Sequence, residues 1–376
     1  MKFLNGLLSR FRENYKRIKI VSSISLKKIF SFVMVLVVAM ASGFLIGKIY
    51  IDSTYVPPLD MSGTEADYRD DEEIKKVESL VALANGGKDL SEFSQLELFQ
   101  IAEYNLEHSE YFLKEGLGTA ASCGATCNMR LQKIKYGDHY GFYKFSPSEK
   151  VMGVETPAVC VRTIYDAKKH TMDMIKVKKP NFISRDANAM QVEFSNAAAS
   201  GDVVLSYKNA GGKTAEELYA ERFKTVPTRA LSYLITSKTT TDENFSEMTL
   251  NEDGSCTFDI KFVPENSTIT ATLYYSREVQ FSCSYSVPYW TMAKGRDYSI
   301  LLRVTIDKNF KFKQIYYYES YTEYGAKDVN DPYAIDNIPL LSSAPVINEY
   351  TDYFYYDKET IASKVVDDFK NFEEMK

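Results

Sequence analysis

The chain has 376 residues, 45% apolar and 26% charged, with 45 basic against 51 acidic side chains and a formal net charge of −6. These values belong to a globular protein and exclude a disordered, collagen-like or polytopic membrane chain. Five cysteines in so long a chain exclude a disulfide-framed mini-domain, and the negative balance argues against a nucleic-acid binder.

From Ile29 to Gly47 the sequence runs without a charge. A helix of that length measures about 28 Å, close to the ~30 Å hydrocarbon core of a bilayer. Lys2, Arg10, Arg12, Lys16, Arg17, Lys19, Lys27 and Lys28 precede it against the single acid Glu13, whereas Asp52, Asp60, Glu65, Asp67, Asp70 and Asp71 follow it. The positive-inside rule then assigns 1–28 as a basic cytoplasmic stem, 29–47 as a transmembrane signal anchor in the plasma membrane, and all that follows as extracytoplasmic. Ala39-Met40-Ala41 has the small-x-small pattern of a cleaved signal, but the basic region is long and the apolar run continues through Phe44, Leu45 and Ile46. The first cysteine is Cys123, too distant for a lipid-modified anchor. Within the span Ala39, Gly43 and Gly47 recur every four residues, a stripe that suits close packing of membrane helices and a homodimer, though glycine and alanine are also common in such helices. The stem carries Phe3, Leu4, Leu7, Leu8, Phe11 and Ile18 at helical spacing, which fits either an amphipathic helix on anionic lipid or a plain basic tail.

Residues 48–67, rich in Pro, Ser, Gly and acids, read as a linker. The remainder, 68–376, reads as one exterior α+β domain with a subdivision suggested near 180–215. Ile74, Val77, Leu80, Val81 and Ala84 line one face of a helix that stops at Gly86-Gly87. Ser94 with Glu97 forms a capping box before Leu98, Ile101, Ala102 and Leu106. Strands are expected over Met129–Lys135, Tyr140–Phe145, Val159–Tyr165, Thr171–Val177, Gln191–Phe194 and Val203–Tyr207. Thr214 with Glu217 repeats the capping box before Leu218, Tyr219 and Phe223. Period-two alternation then marks Cys256–Phe262 and Ile300–Ile306, and a turn at Lys308-Asn309 leads into the aromatic run Phe310–Tyr324. Thr268–Phe281 suits either a strand or a helix. A loop is expected over Asp328–Asn337, a strand over Glu349–Tyr356, and a closing amphipathic helix through Ile361, Ala362, Val365, Val366, Phe369 and Phe372.

Successive strands joined by short polar turns imply a large antiparallel sheet with a few packing helices. Strand-turn segments such as Tyr136-Gly137-Asp138-His139-Tyr140 and Val304-Thr305-Ile306-Asp307, set in this order of helices and strands over about 90–325, resemble the lipoprotein-carrier envelope proteins of the LolA/LppX type. The resemblance implies a curved, half-barrel-like sheet wrapping helices and an apolar cavity for acyl chains. The sequence departs from that family in lacking its lipobox or cleavable leader. It is also similar to anchored exterior proteins of Gram-positive bacteria.

Most catalytic signatures are absent from the sequence. His108, His139 and His170 show no HxxxH spacing, Gly-x-Ser-x-Gly does not occur, and Asn209–Lys213 lacks P-loop spacing. Ser25 and Lys28 have serine–lysine spacing but lie in the stem. Asp328, Asn330, Asp331, Asp336 and Asn337 lack the glycine and glutamate of an EF-hand. No cofactor or metal is therefore expected. Cys123 and Cys127 form a CxxxC that suits a local disulfide in an oxidising compartment, and Cys256 with Cys283 suits a second if their strands adjoin; Cys256 otherwise reads as a small buried hydrophobe, and Cys160 is left over. Tyr316, Tyr318, Tyr353 and Tyr355 belong to a tyrosine-rich region that either offers an aromatic binding surface or packs beneath helices. The expected function is that of a non-enzymatic envelope protein whose exterior domain binds an apolar or lipid ligand or a protein partner. A scaffold or signal-relay subunit of a membrane complex and an unrecognised envelope hydrolase are the alternatives. Nucleic acid is not expected as a partner. Through Lys48 the chain holds nine basic residues and one acid; beyond it 36 basic face 50 acidic, so the exterior part carries −14 and favours neutral, apolar or basic partners.

Overall fold

The computed structural model describes residues 68–122, 125–146, 150–151, 154–155, 159–176, 203–207, 212–223, 226–231, 233–263, 298–321, 324–328, 331–339 and 346–365. All belong to one compact unit, Pro58–Lys376. The 29–47 span with Ala39, Gly43 and Gly47, the Gln191–Phe194 strand, Thr268–Phe281, Cys123 and Cys283 lie outside the described residues. Among the described residues no helix is long and apolar enough to cross a membrane.

Two helices open the domain. Helix α1 spans Asp71–Asn85, capped by the Asp70 carboxylate, which accepts from the Glu73 amide at 3.1 Å, and closed at Gly86. Gly87 follows with φ +96°, a conformation open to glycine at no steric cost. Helix α2 spans Gln95–His108 and has the expected capping box: the Ser94 amide donates to Glu97 at 2.9 Å while the Ser94 hydroxyl accepts from the Glu97 amide. Its stripe Leu98, Ile101, Ala102 and Leu106 is wholly buried, joined by Phe99.

Strands β1 (Tyr111–Ser122), β2 (Ala125–Tyr136), β3 (His139–Ser146), β6 (Val159–Asp166), β7 (Thr171–Lys176) and β8 (Val203–Tyr207) form one antiparallel meander; β4 (Lys150–Val151) and β5 (Val154–Glu155) make a small separate ladder. Helix α3 (Ala215–Phe223) repeats the Thr214/Glu217 box and lays Ala215 and Tyr219 on Tyr165 and Met172. Strands β9 (Thr249–Leu250), β10 (Cys256–Phe262), β11 (Tyr298–Ile306) and β12 (Phe312–Tyr321) form a second meander, and β15 (Val346–Tyr355) pairs with β12 on one side and β1 on the other. The product is an open eleven-stranded antiparallel sheet, ordered β8-β7-β6-β3-β2-β1-β15-β12-β11-β10-β9. Beyond two-residue β9, the free edge of β10 is closed by the Ser246 amide donating to the Asp259 carbonyl and the Asn244 side-chain amide donating to that of Lys261, both 2.9 Å.

Alternation sends Phe112, Met129, Leu131, Phe258, Val304, Ile315 and Tyr317 to one face, where they form a single core with α1 and α2. The opposite face carries helix α4 (Lys358–Lys364), whose last carbonyl, on Lys364, accepts from Gln132 at 2.8 Å and Arg130 at 3.2 Å.

Three expectations need correction. Strand β1 was not foreseen, although it lies mid-sheet. The loop over Asp328–Asn337 is instead a ladder of β13 (Tyr324–Asp328) and β14 (Asp331–Pro339), with Asp328 opposite Asp331 and register shifts along it; Asp328 and Asp331 end the two strands where they meet, and Asp336 and Asn337 lie within β14. The closing helix does not run on through Val365. Val365 is extended at φ −65°, ψ 131°, where Arg130 and Gln132 take the Lys364 carbonyl, and Val366, Phe369 and Phe372 lie outside the described residues.

Candidate functional site

The sequence stripe on α1 predicts five inward residues, yet Ile74 is 48% exposed. It and Val77 form the wall of a cleft of about 400 Å³ bounded by α1, α2 and the segment carrying Val226, Arg229 and Thr236. Tyr104, with its ring stacked at 3.8 Å on His108, adds an aromatic surface.

Below this apolar rim lie paired charges. Arg69 Nη2 donates to both oxygens of Glu103 at 2.9 Å, and Arg229 Nη1 donates to both oxygens of Glu107 at 2.7 and 2.8 Å. Glu73 Oε1 accepts from Gln100 Nε2 at 2.6 Å and the Ser237 amide at 2.9 Å, and its Oε2 accepts from the Ser237 hydroxyl at 2.6 Å. These acids clamp the 229–238 segment onto the two helices. Burial pushes Glu73 up, but the Ser237 hydroxyl and amide and Gln100 outweigh it and hold the carboxyl below its ordinary value. Glu103 goes the other way: burial, opposed by Arg69 and reinforced by Glu107, pushes it up to about 7.

A raised carboxyl binds its proton more tightly in the folded chain than in the unfolded one. Its stabilising contribution is therefore complete below the ordinary pKa and is lost as pH rises through about 7. We expect Glu103→Gln, which keeps an acceptor for Arg69, to flatten the dependence of stability on pH between 5 and 8. The difference removed is on the order of 3 kcal/mol at most. Urea denaturation at three pH values checks this, and parallel curves for the two proteins would contradict it.

A second polar group is buried where the helix-facing side of the sheet meets Tyr233. Lys114 Nζ lies 3.6 Å from Asp352 Oδ2, with side chains 4% and 0% exposed. Burial holds Asp352 above the usual carboxylate range against Lys114 and the Tyr233 hydroxyl. Glu319 accepts from Asn348 Nδ2 at 2.7 Å, and Tyr233, Tyr317 and Tyr350 stack with centroid separations of 6.2 and 4.6 Å.

The structure brings the four expected tyrosines Tyr316, Tyr318, Tyr353 and Tyr355 onto one side of the sheet, the side away from α1 and α2. Tyr353 is exposed, Tyr316 donates to Glu349 Oε1 at 2.8 Å, and Lys364 Nζ sits 4.7 Å above the Tyr355 ring. Cys256 is a free, fully buried thiol, pushed up to about 11 by burial, and its suggested partner Cys283 lies outside the described residues. The backbone of Cys127 lies in β2, opposite Ala120, and its suggested partner Cys123 is outside the described residues. Among the described residues no group of three His, Cys, Asp or Glu could hold a metal.

Sequence reasoning passed over Glu73, Gln100, Glu103, Glu107, Arg69 and Arg229. One signal was present: Gln100, Glu103 and Glu107 recur at helical spacing beside the apolar stripe of α2, with Tyr104 among them. No protein-family model matches the chain, and no curated protein matches it.

Proposed function

We propose that the chain is a single-pass cell-envelope protein, held by the 29–47 span, whose exterior domain is a binding module and not an enzyme. The observation that carries this reading is the cleft beside α1 and α2. Its wall of Ile74, Val77, Tyr104 and Val226 suits the apolar body of a ligand, and its volume falls in the range of small-molecule sites. The acids and arginines beneath are bound to one another with short, paired hydrogen bonds, which suits a rigid, preformed floor. An open antiparallel sheet with α1 and α2 laid on one face also supports the likeness to lipoprotein carriers. A protein partner is the second reading, favoured by exposed Ile347 and Tyr353 beside Tyr316 on the other side of the sheet.

The test is purification of the full chain from membranes, followed by solvent extraction and mass spectrometry of whatever accompanies it. We expect an apolar molecule with the native chain and its loss from Ile74→Asp, a change at an exposed position that spares the core. A native chain that carries nothing overturns the ligand reading in favour of the partner.

A further inference from the structure

Gln100 lines the cleft and is 4% exposed. Its Nε2 donates to the Glu73 carboxylate at 2.6 Å, and because a carboxylate can only accept there, this contact fixes which end of the amide is nitrogen. The other end, Oε1, is then a buried acceptor with no hydrogen-bond partner among the described residues. Such an atom is costly to leave unmet, and a donor on the occupant would meet it.

The charge around it selects the kind of donor. Glu73, Glu78, Glu103 and Glu107 line the cleft against Arg69 and Arg229, with His108 the remaining titratable group apart from Tyr104. Both arginines are engaged by carboxylates, whereas Glu78 stands exposed on α1. Even with Glu103, pushed up to about 7, left out of the count, three lining acids face two arginines, in a domain that is itself strongly acidic, so a cation is drawn in and an anion repelled. The walls of Ile74, Val77 and Val226 and the stacked Tyr104–His108 pair take a hydrocarbon or aromatic body.

We propose that the cleft binds a small organic amine, an ammonium group on an apolar body, with Gln100 Oε1 accepting from the ammonium and Glu78 and Glu73 supplying the field. This rests on the reading of the cleft as a ligand site and names the class of ligand.

The test uses the full chain in lipid nanodiscs, with empty nanodiscs as the blank, and saturation-transfer NMR with two probes of nearly equal shape, phenethylamine and 2-phenylethanol. The amine should bind roughly tenfold tighter than the alcohol, as expected for a hydrogen bond to a charged donor. Gln100→Leu should narrow that preference, weakening the amine several-fold more than the alcohol, whose neutral hydroxyl makes the weaker hydrogen bond to Oε1. Glu78→Gln, a surface change that cannot disturb the fold, should weaken the amine several-fold and not the alcohol. Equal binding of the two probes to the native chain overturns the amine assignment and leaves the cleft as an apolar site. Failure of both probes to bind overturns the cleft reading with it.

Discussion

Asp352→Ala should destabilise the domain by about 3–5 kcal/mol, the largest effect expected of any change that removes a charge. The substitution leaves the Lys114 ammonium, whose side chain is 4% exposed, without its carboxylate in the middle of the sheet. Water cannot take over that role. The reverse change, Lys114→Ala, should cost less, because Asp352 is already held above the usual carboxylate range and can shed its charge by taking a proton. The gap between the two variants should narrow at alkaline pH, where that escape closes. Lys114→Met combined with Asp352→Leu should recover most of the loss, since a well-packed apolar pair is often as stable as a buried ion pair. Thermal and urea denaturation of these proteins checks the order, and the Lys114→Ala/Asp352→Ala double variant completes a double-mutant cycle. Near-native stability of Asp352→Ala would mean that Lys114 reaches solvent.

Gly118→Ala should cost about 3 kcal/mol, against the generic expectation. Glycine inside a strand is normally a weakness, and alanine there gains ~0.5–1 kcal/mol from a stiffer unfolded chain. Here geometry decides the sign. A Cβ at 118 would overlap the Glu349 carbonyl oxygen and the Cα of Tyr350, both belonging to the neighbouring strand, so backbone must move. At Gly116 the added carbon would come within 2.5 Å of Asp352 Oδ1, a side chain pinned by Lys114. Gly116→Ala should therefore also lose stability, though less. Denaturation midpoints that rise in both variants would show that β1 and β15 are further apart than described.

These two glycines also explain what could be read from the sequence. Strands β2, β3, β6, β7, β8, β10, β11, β12 and β15 were legible because one face is apolar and the other polar, or because β-branched and aromatic residues fill them. The helices announced themselves through their caps. Strand β1 was hidden because Leu113, Lys114 and Glu115 are all buried, which destroys the period of two. Glu115 is held there by Arg130 and Gln132, partners from β2 that no local pattern could reveal. The glycines, alanines and serine that follow have poor strand propensity, and their justification is again the neighbouring strand. The cleft was hidden for the same reason. An acid on a helix reads as a solvated face, and what removes Glu103 and Glu107 from solvent is Arg69 and Arg229, 34 and 122 residues away in the chain. The tyrosines divide by alternation: Tyr317 and Tyr350 face inward as core, as the packing reading expects, while Tyr316, Tyr318, Tyr353 and Tyr355 face the other way.

The position of β15 has a consequence for how the chain reaches its final form. During synthesis β1 to β8 emerge first and can pair with one another, and β9 to β12 follow as a second local assembly. Among the described strands neither group pairs with the other. Until residues 346–355 have emerged, β1 and β12 each present a long row of unpaired amides and carbonyls, and β1 also has the flat, side-chain-poor stretch around Gly116 and Gly118. Such edges invite pairing with another copy. The nascent chain thus passes through a stage of two half-sheets awaiting a keystone strand, when it is most open to misassociation and most in need of a chaperone.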